Sequence, residues 1–513
     1  MTVAGALRPV AAGGWRLRMG CVAAGLMAAA GHVPLALPVL GFPGFALVIW
    51  LVSAAPAARA AMWRGCFAGL GYFAATLFWI VEPFLVDVAR HGWMAPFALV
   101  FLAAGMALFW GAAAWLGAAL GRGPAARAGV FAAALALAGL GRAYLLTGFP
   151  WALPAYIWTE TPVIQLAAWT GAHGLGLLTL LAAALPGMAA ARGRRAIALG
   201  GTAALGLVAL GWGMGAARLA EDMPAPRDLR VRLVQPNAAQ HLKWKPAMIP
   251  VFFERALALT AAPAARAPDL VVWPETAMPW LLSTAGPALE EMRAAAGPRA
   301  TVAFGAQRRG DAGGFHNSLV VMEAGTAVPG TIYDKHHLVP FGEYMPFSDL
   351  AARLGIRGLA EQLGGGYAPG PGPRLVPTGG GLTALPLVCY EAVFPQDVFR
   401  APVRPDYLLH VTNDAWFGQL AGPWQHLAQA RVRTIEQGLP MLRAANTGIS
   451  AVIDARGRML DTLALGQAGH VDADLPGALP PTFYARWRDM PAFWAVALLL
   501  LALAAMRLRR ISS

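Results

Sequence analysis

Seven stretches of this chain, at about residues 17–31, 35–55, 61–83, 94–120, 128–147, 162–187 and 197–214, are apolar almost throughout, and an eighth lies at about 491–506. A helix needs about 20 apolar residues to cross the hydrocarbon core of a bilayer. Backbone groups in lipid have no water to bond, so a run of this kind is confined to structures that bond to themselves, helices foremost. Most of these runs are of that length. The eighth is short, but Trp494 and its flanking arginines suit an interfacial anchor. Charged residues make up only 13% of the chain, against roughly 25% in soluble proteins.

The formal net charge of +13 invites a nucleic-acid reading, and its distribution argues against one. Thirteen arginines lie in short segments between or beside the apolar runs: Arg8, Arg16 and Arg18; Arg59 and Arg64; Arg122 and Arg127; Arg192, Arg194 and Arg195; Arg507, Arg509 and Arg510. With these set aside, the remaining 27 Lys and Arg match the 27 Asp and Glu. The excess is therefore the positive-inside signature of a membrane protein, not the basic face of a nucleic-acid binder. All the arginine segments fall on one side of the bilayer if seven spans precede a large domain and one span follows it. The expected layout is a membrane domain over 1–220, a catalytic domain over 228–475 and a last helix over 488–508. Both termini would be cytoplasmic, and in a bacterial inner membrane the domain would face the periplasm. The basic, apolar start lacks a clear small-residue cleavage site, so a retained first helix is expected.

Residues 228–475 have a different texture. Short Val-, Leu- and Ile-rich runs, such as 228-DLRVRLVQPNA, 269-DLVVWPETA, 382-LTALPLVCYEAVFP and 407-YLLHVTNDAWFG, are punctuated by Gly, Pro or Asn and read as strands. Helical patterns lie between them at about 247–262, 286–296 and 423–438. Alternation of this kind predicts an α/β domain with sheets covered by helices. Residues 362–381, rich in Gly and Pro, read as a loop, here expected to be mobile and to admit a bulky substrate.

Polar residues stand at the ends of the strand-like runs: Glu275 after 270-LVVWP, Cys389 after 385-LPLV, and Asn413 after 408-LLHVT; Lys335 lies in 331-TIYDKHHLVPFGEY. Sites in open α/β sheets collect beyond such strand ends. A thiolate is a nucleophile, a carboxylate can take its proton, and an ammonium with backbone N–H groups can stabilise an oxyanion. That set suffices for acyl transfer. A strand-end cysteine is nonetheless more often a buried structural residue than a nucleophile, and the residues alone leave both readings open. Cys21 and Cys66 lie in apolar runs, and the three cysteines show neither a disulfide framework nor a zinc spacing. His336, His337, His410 and His426 show no metal spacing either, and read as structural or supporting residues. No metal or cofactor is expected.

The segments WPE at 273–275, YDKHHLVPFGEY at 333–344, CYE at 389–391 and NDAWFG at 413–418 resemble the nitrilase superfamily. Together with the seven-plus-one span layout, the whole chain is similar to its membrane-embedded branch, the apolipoprotein N-acyltransferase family. The resemblance implies an αββα sandwich joined to the multi-span helical domain. It implies Glu275 as general base, Lys335 as oxyanion stabiliser and Cys389 as nucleophile. The acyl donor would be a phospholipid, by family habit at the sn-1 ester of phosphatidylethanolamine. The acceptor would be the α-amino group of a diacylglyceryl-cysteine on an apolipoprotein, reached through a thioester. Both substrates are bilayer-anchored, and a monomer is expected.

Further residues carry two readings each. Glu343 positions Lys335 or the incoming amine, or is a surface acid. Tyr390 and Glu391 shape the turn and acyl pocket, with Glu391 reaching a neighbouring loop, or Glu391 caps a helix. Trp244 lines a substrate entrance or, flanked by Lys243 and Lys245, anchors at the interface. Asn413 orders the active-site backbone or serves a turn. Trp416 and Phe417 line an acyl path or pack in the core. Arg142, inside an apolar run, binds a lipid phosphate or holds an outer loop, or snorkels. Two other functions compete on sequence alone. A tethered amidase would share the triad, and the span count argues against it. A transporter would show paired broken helices and internal repeats, which are not seen.

Overall fold

The structure is a computed structural model that describes residues 14–310, 313–347 and 366–509; Arg8, Arg510 and positions 362–365 of the expected loop lie outside them. The chain divides into two compact units, Met1–Glu221 with Thr482–Ser513, and Asp222–Pro481.

In the first unit each of the eight apolar runs carries a helix: Trp15–Ala29, Pro38–Ser53, Ala58–Thr76, Ala95–Leu120, Gly123–Tyr144, Ala167–Ala189, Arg194–Ala220 and Met490–Arg509. By length and composition four stretches can cross a membrane: Val88–Leu120, Gly123–Tyr144, Pro162–Arg192 and Arg194–Ala220. A fifth is the pair Ala58–Thr76 and Phe78–Leu85, bent by 63°. Pro38–Ser53 is a shorter apolar helix, and Trp15–Ala29 has 15 residues. Without a hydrophobic drive between helices in lipid, close packing and polar links hold such a bundle. Tyr72 stacks on Trp110 at 4.8 Å, and its hydroxyl donates to Ala152 O at 2.9 Å. Helix Ala167–Ala189 breaks at Gly171, whose φ of 64° leaves room for the Tyr484 ring where a side chain would stand. The Tyr484 and Tyr144 hydroxyls then donate to the two oxygens of Asp489, at 3.0 and 2.6 Å.

Arg142 belongs to this packing. Its guanidinium is buried, donates to Trp151 O at 3.0 Å and Phe149 O at 3.3 Å, and lies 4.9 Å from the Phe73 ring centroid. Of the readings open to it, these contacts are those of a residue that holds the 145–151 loop.

The second unit contains two sheets, each six-stranded among the described residues. The strands are β1 Arg230–Gln235, β2 Leu270–Val272, β3 Thr301–Arg309, β4 Phe315–Met322, β5 Thr331–Asp334, β6 Val376–Pro377, β7 Thr383–Val388, β8 Tyr407–Thr412, β9 Met441–Ala445, β10 Ser450–Ile453, β11 Met459–Leu463 and β12 Gly469–Asp474. The orders are β12-β1-β2-β3-β4-β5 and β11-β10-β9-β8-β7-β6. Parallel cores, β1-β2-β3 and β7-β8-β9, are flanked by antiparallel strands. Apolar strands buried on both faces are what a parallel core requires, and β2, β8 and β9 are buried at every position.

Helices Ile249–Thr260 and Gly286–Ala296 bury Phe253, Ala256, Leu289 and Met292 against Val271, Val302 and Phe304 of the first sheet. Helix Gly422–Gln437 buries Leu427 and Ala430 against Leu385, Leu408 and Met441 of the second. Between the sheets, Gln235 of β1 accepts from the backbone and hydroxyl of Ser450 in β10. The layering is the αββα sandwich implied by the resemblance, and its parallel strands deliver Glu275, Cys389 and Asn413 from their carboxyl ends.

Candidate active site

β2 ends at Val272, and Trp273 and Pro274 carry the chain on to Glu275. The neighbouring β3 passes directly beneath: a Cβ on Gly305 would lie 2.6 Å from Glu275 Cα, so only glycine fits. β7 runs into Cys389, whose φ of 52° places it in the left-handed region. A non-glycine residue held there costs about 1–3 kcal/mol and persists only when its surroundings over-determine it. β8 runs into Asn413, and β5 into Lys335, whose N–H is fixed by Asn317 O at 2.8 Å.

These ends converge on one charge cluster. Lys335 Nζ lies 2.8 Å from Glu343 Oε2 and 3.5 Å from Glu275 Oε1, with the lysine side chain 1% exposed. Asn317 Nδ2 donates to both carboxylates, to Glu275 Oε1 at 2.7 Å and Glu343 Oε1 at 3.1 Å. The other Glu275 oxygen accepts from the Asn413 backbone N–H at 2.9 Å. Glu275 is thus held at both oxygens, across the gap between the sheets. Asn413 is itself fixed by its side chain, donating to Gln240 Oε1 and accepting from Asn446 Nδ2, each at 2.8 Å. It orders the backbone that orients Glu275.

The Cys389 thiol is in the electrostatic reach of Glu275 and Lys335. Burial pushes it well above its ordinary pKa, the Glu275 charge pushes it further, and the Lys335 ammonium opposes both. The resting group is therefore a thiol, and its proton must leave as it attacks. For Lys335 burial works against the charge, but the Glu343 and Glu275 carboxylates outweigh it and hold the ammonium well above the usual lysine range.

Glu391 is wholly buried and joins two segments. It accepts from the Val388 N–H at 2.7 Å, just before the nucleophile, and from the His336 N–H at 2.8 Å, just after Lys335. The Tyr333 hydroxyl adds a bond at 3.0 Å. Glu391 thus does more than cap a turn, since it locks the lysine segment to the cysteine segment. The His336 ring lies between Glu391, at 2.6 Å, and Asp397, at 3.5 Å. Burial lowers its pKa, but Asp397 and Glu391 together raise it to about 10. His337 Nδ1 pairs with Asp397 at 2.8 Å and its ring stacks on Phe394, while Tyr390 stands edge-on to both rings.

Of the other aromatic candidates, Trp244 has its ring 5.3 Å from Lys243 Nζ, which donates to Glu275 O. Trp244 is 40% exposed, and Trp416 is half-buried in the turn after β8; neither is hydrogen-bonded to Glu275, Lys335 or Cys389. Phe417 is buried edge-on to His426 at 5.6 Å.

Asn317, Lys243 and Tyr367 are among the site residues that escaped the sequence reading. Lys243, named there only as a neighbour of Trp244, is buried. Its Nζ donates to Thr276 Oγ1 at 2.9 Å and Glu275 O at 3.4 Å. Burial lowers its pKa to about 8, with the Glu275 charge opposing. Tyr367 accepts from Gln307, and its backbone N–H donates to Glu343 O at 2.7 Å. Burial raises its phenol pKa, and the Glu343 and Glu275 charges add to that. With Gly370 N–H on Lys335 O at 2.8 Å, the described part of the expected mobile loop is tied to the site.

A buried thiol, a fixed carboxylate and a permanent ammonium can form and break an acyl bond without further groups. The comparisons with known proteins agree with such chemistry. Residues 24–185 match the model of the apolipoprotein N-acyltransferase N-terminal domain, and residues 230–479 match that of carbon-nitrogen hydrolases. An apolipoprotein N-acyltransferase of Caulobacter vibrioides is 40% identical over 511 residues, covering 96% of this chain and 94% of that protein. Those of Allorhizobium ampelinum and Brucella melitensis biotype 1 are 36% and 35% identical, each again over 96% of this chain and 96% and 95% of their own.

Proposed function

Since the chain belongs to the apolipoprotein N-acyltransferase family, and is thus a membrane protein that N-acylates lipoproteins, we propose that it does so through a thioester on Cys389 with a phospholipid as acyl donor. The observation that carries this reading is that buried Glu275 and Lys335, 3.5 Å apart, lie within electrostatic reach of the buried Cys389 thiol.

In the first half-reaction Glu275 takes the thiol proton as sulfur attacks an ester carbonyl, at the sn-1 position of phosphatidylethanolamine. The carbonyl oxygen becomes an oxyanion, balanced by Lys335 and a backbone N–H beside the nucleophile. Collapse breaks the C–O bond. The lysophospholipid leaves with the proton held by Glu275, and the acyl group stays on sulfur. In the second half-reaction the neutral α-amino group of a diacylglyceryl-cysteine attacks the thioester and gives a proton to Glu275. The C–S bond breaks, an amide remains, and the proton returns to Cys389. Glu343 keeps Lys335 in place, and Asn413 keeps Glu275 in place. Tyr390 shapes the turn, while Trp244, Trp416 and Phe417 serve acyl or acceptor entry.

The proposed setting is a bacterial inner membrane, with all eight apolar helices spanning, both termini cytoplasmic and Asp222–Pro481 in the periplasm. Every residue of the proposed machinery comes from one chain, so a monomer suffices. The test is the intact mass of the purified protein after incubation with phosphatidylethanolamine vesicles. One added acyl chain is expected, absent from Cys389→Ala. Acyl transfer to a lipopeptide by Cys389→Ala would overturn the reading.

A further inference from the structure

Beneath the nucleophile lies a buried polar network that the two half-reactions leave unused. The Cys389 carbonyl oxygen accepts two hydrogen bonds, from His410 Nε2 at 3.2 Å and from His426 Nε2 at 3.1 Å. Both rings are wholly buried, and they meet edge to face at 5.1 Å. Their other nitrogens are committed. His410 Nδ1 lies 2.7 Å and Nε2 3.4 Å from Arg443 Nη1, and because the Cys389 carbonyl only accepts, it is Nε2 that carries the proton. His426 Nδ1 lies 2.9 Å from Asp414 Oδ1. The other Asp414 oxygen takes Arg443 Nη2 at 2.6 Å. Burial disfavours the Asp414 charge, but Arg443 and His426 hold its pKa down to about 2. A carbonyl only accepts, so His426 Nε2 donates to it, while Nδ1 faces the carboxylate. Thr412 Oγ1 completes the aspartate's shell at 2.9 Å.

Fully buried groups are seldom assembled around one carbonyl without consequence. Here the oxygen accepts from two side-chain N–H groups. Hydrogen bonds in a chain polarise one another. Density drawn onto the Cys389 oxygen leaves the other end of the same peptide more positive. That other end is the Tyr390 N–H, which a planar trans peptide directs away from the carbonyl. It adjoins the sulfur, where the oxyanion of a tetrahedral intermediate forms, and a donor at such a point is worth about 10²–10³ in rate.

We propose that His410 and His426, braced by Arg443 and Asp414, are positioning residues that act through the Cys389 carbonyl to strengthen the Tyr390 N–H as an oxyanion donor. The proposal rests on Cys389 being the acylated nucleophile. It assigns the two histidines a part in formation of the thioester, although neither touches substrate.

The experiment compares two reactions of the same sulfur in the full-length protein. Acylation by phosphatidylethanolamine passes through an oxyanion. Alkylation by iodoacetamide, measured in detergent without phospholipid, displaces iodide and forms none. In His426→Phe, acylation followed by intact mass should fall about 10- to 100-fold, with alkylation within about threefold of wild type. His426→Gln, which keeps a neutral N–H donor at similar reach, should recover about tenfold of that loss. Unchanged acylation in His426→Phe overturns the proposal. So does a parallel loss of both reactions in the two variants, which marks a merely structural role. A wild-type protein that takes up no acyl chain sinks instead the reading of Cys389 as nucleophile.

Discussion

Lys335 is paired first with Glu343, at 2.8 Å, and only second with Glu275, at 3.5 Å. The closer carboxylate neutralises the ammonium, which leaves the further one free to accept a proton from sulfur. The two acids therefore have different work. Glu343→Gln should draw Glu275 into a tight pair with Lys335 and weaken it as a base. Acylation of Cys389 should fall at least about 100-fold, in the range general base catalysis supplies. Glu343→Ala also breaks a buried pair and should destabilise the protein by about 3 kcal/mol. Intact-mass kinetics and a denaturation midpoint check the two parts.

Because burial and the Glu275 charge both hold the Cys389 thiol protonated, Glu275→Gln should act in opposite directions on two reactions. Acylation needs the base and should drop by about 10²–10⁴. Alkylation at pH 8 needs only thiolate, and removing the nearby charge should speed it. In the wild type, alkylation should climb with pH through 9 without a plateau. A plateau near neutral pH would mean a preformed thiolate and no need of a base.

The strand ends that carry Glu275, Cys389 and Asn413 were legible because each follows an apolar run that is buried on both faces. What joins them was not legible, because it is long-range. β9 hides in 441-MLRAA, where Arg443 interrupts the apolar pattern; that arginine is buried where Asp414, 29 residues earlier, and His410 meet it. β5 hides in a polar segment, and β11 is an exposed strand with no apolar face to announce it. Lys243 read only as a neighbour of Trp244, and its burial brings it to Thr276, 33 residues on. In the membrane unit each apolar run marked a helix, but nothing marked the bend after Thr76 or the break at Gly171.

His336 supplies a pH signature. Its pKa is raised from 6.5 to about 10 by Asp397 and Glu391, against the effect of burial. A group whose folded pKa is raised lends stability that is full below its unfolded value and is lost as pH rises through the folded one. The wild type should therefore exceed His336→Asn in melting temperature most at or below pH 6.5. The gap should narrow progressively between pH 6.5 and 10. A gap constant across that range would mean that His336 is held by packing alone.

Lys243 should give the reverse slope. Its pKa is depressed from 10.5 to about 8, because burial disfavours the charge more than Glu275 favours it. Below pH 8 the folded protein carries a buried ammonium at a cost. Between about 8 and 10.5 the unfolded chain binds more protons than the folded one, so this group makes stability rise with pH. Lys243→Met, which keeps the length of the side chain, should remove that rise from the melting curve. The same titration reaches the chemistry, since the lost charge lies beside Glu275. Wild-type acylation should show an inflection near pH 8, with the rate a few-fold higher above it as Glu275 becomes the stronger base. The inflection should be absent from Lys243→Met. Its survival in the variant would assign it to another group and leave Lys243 a structural donor to Thr276.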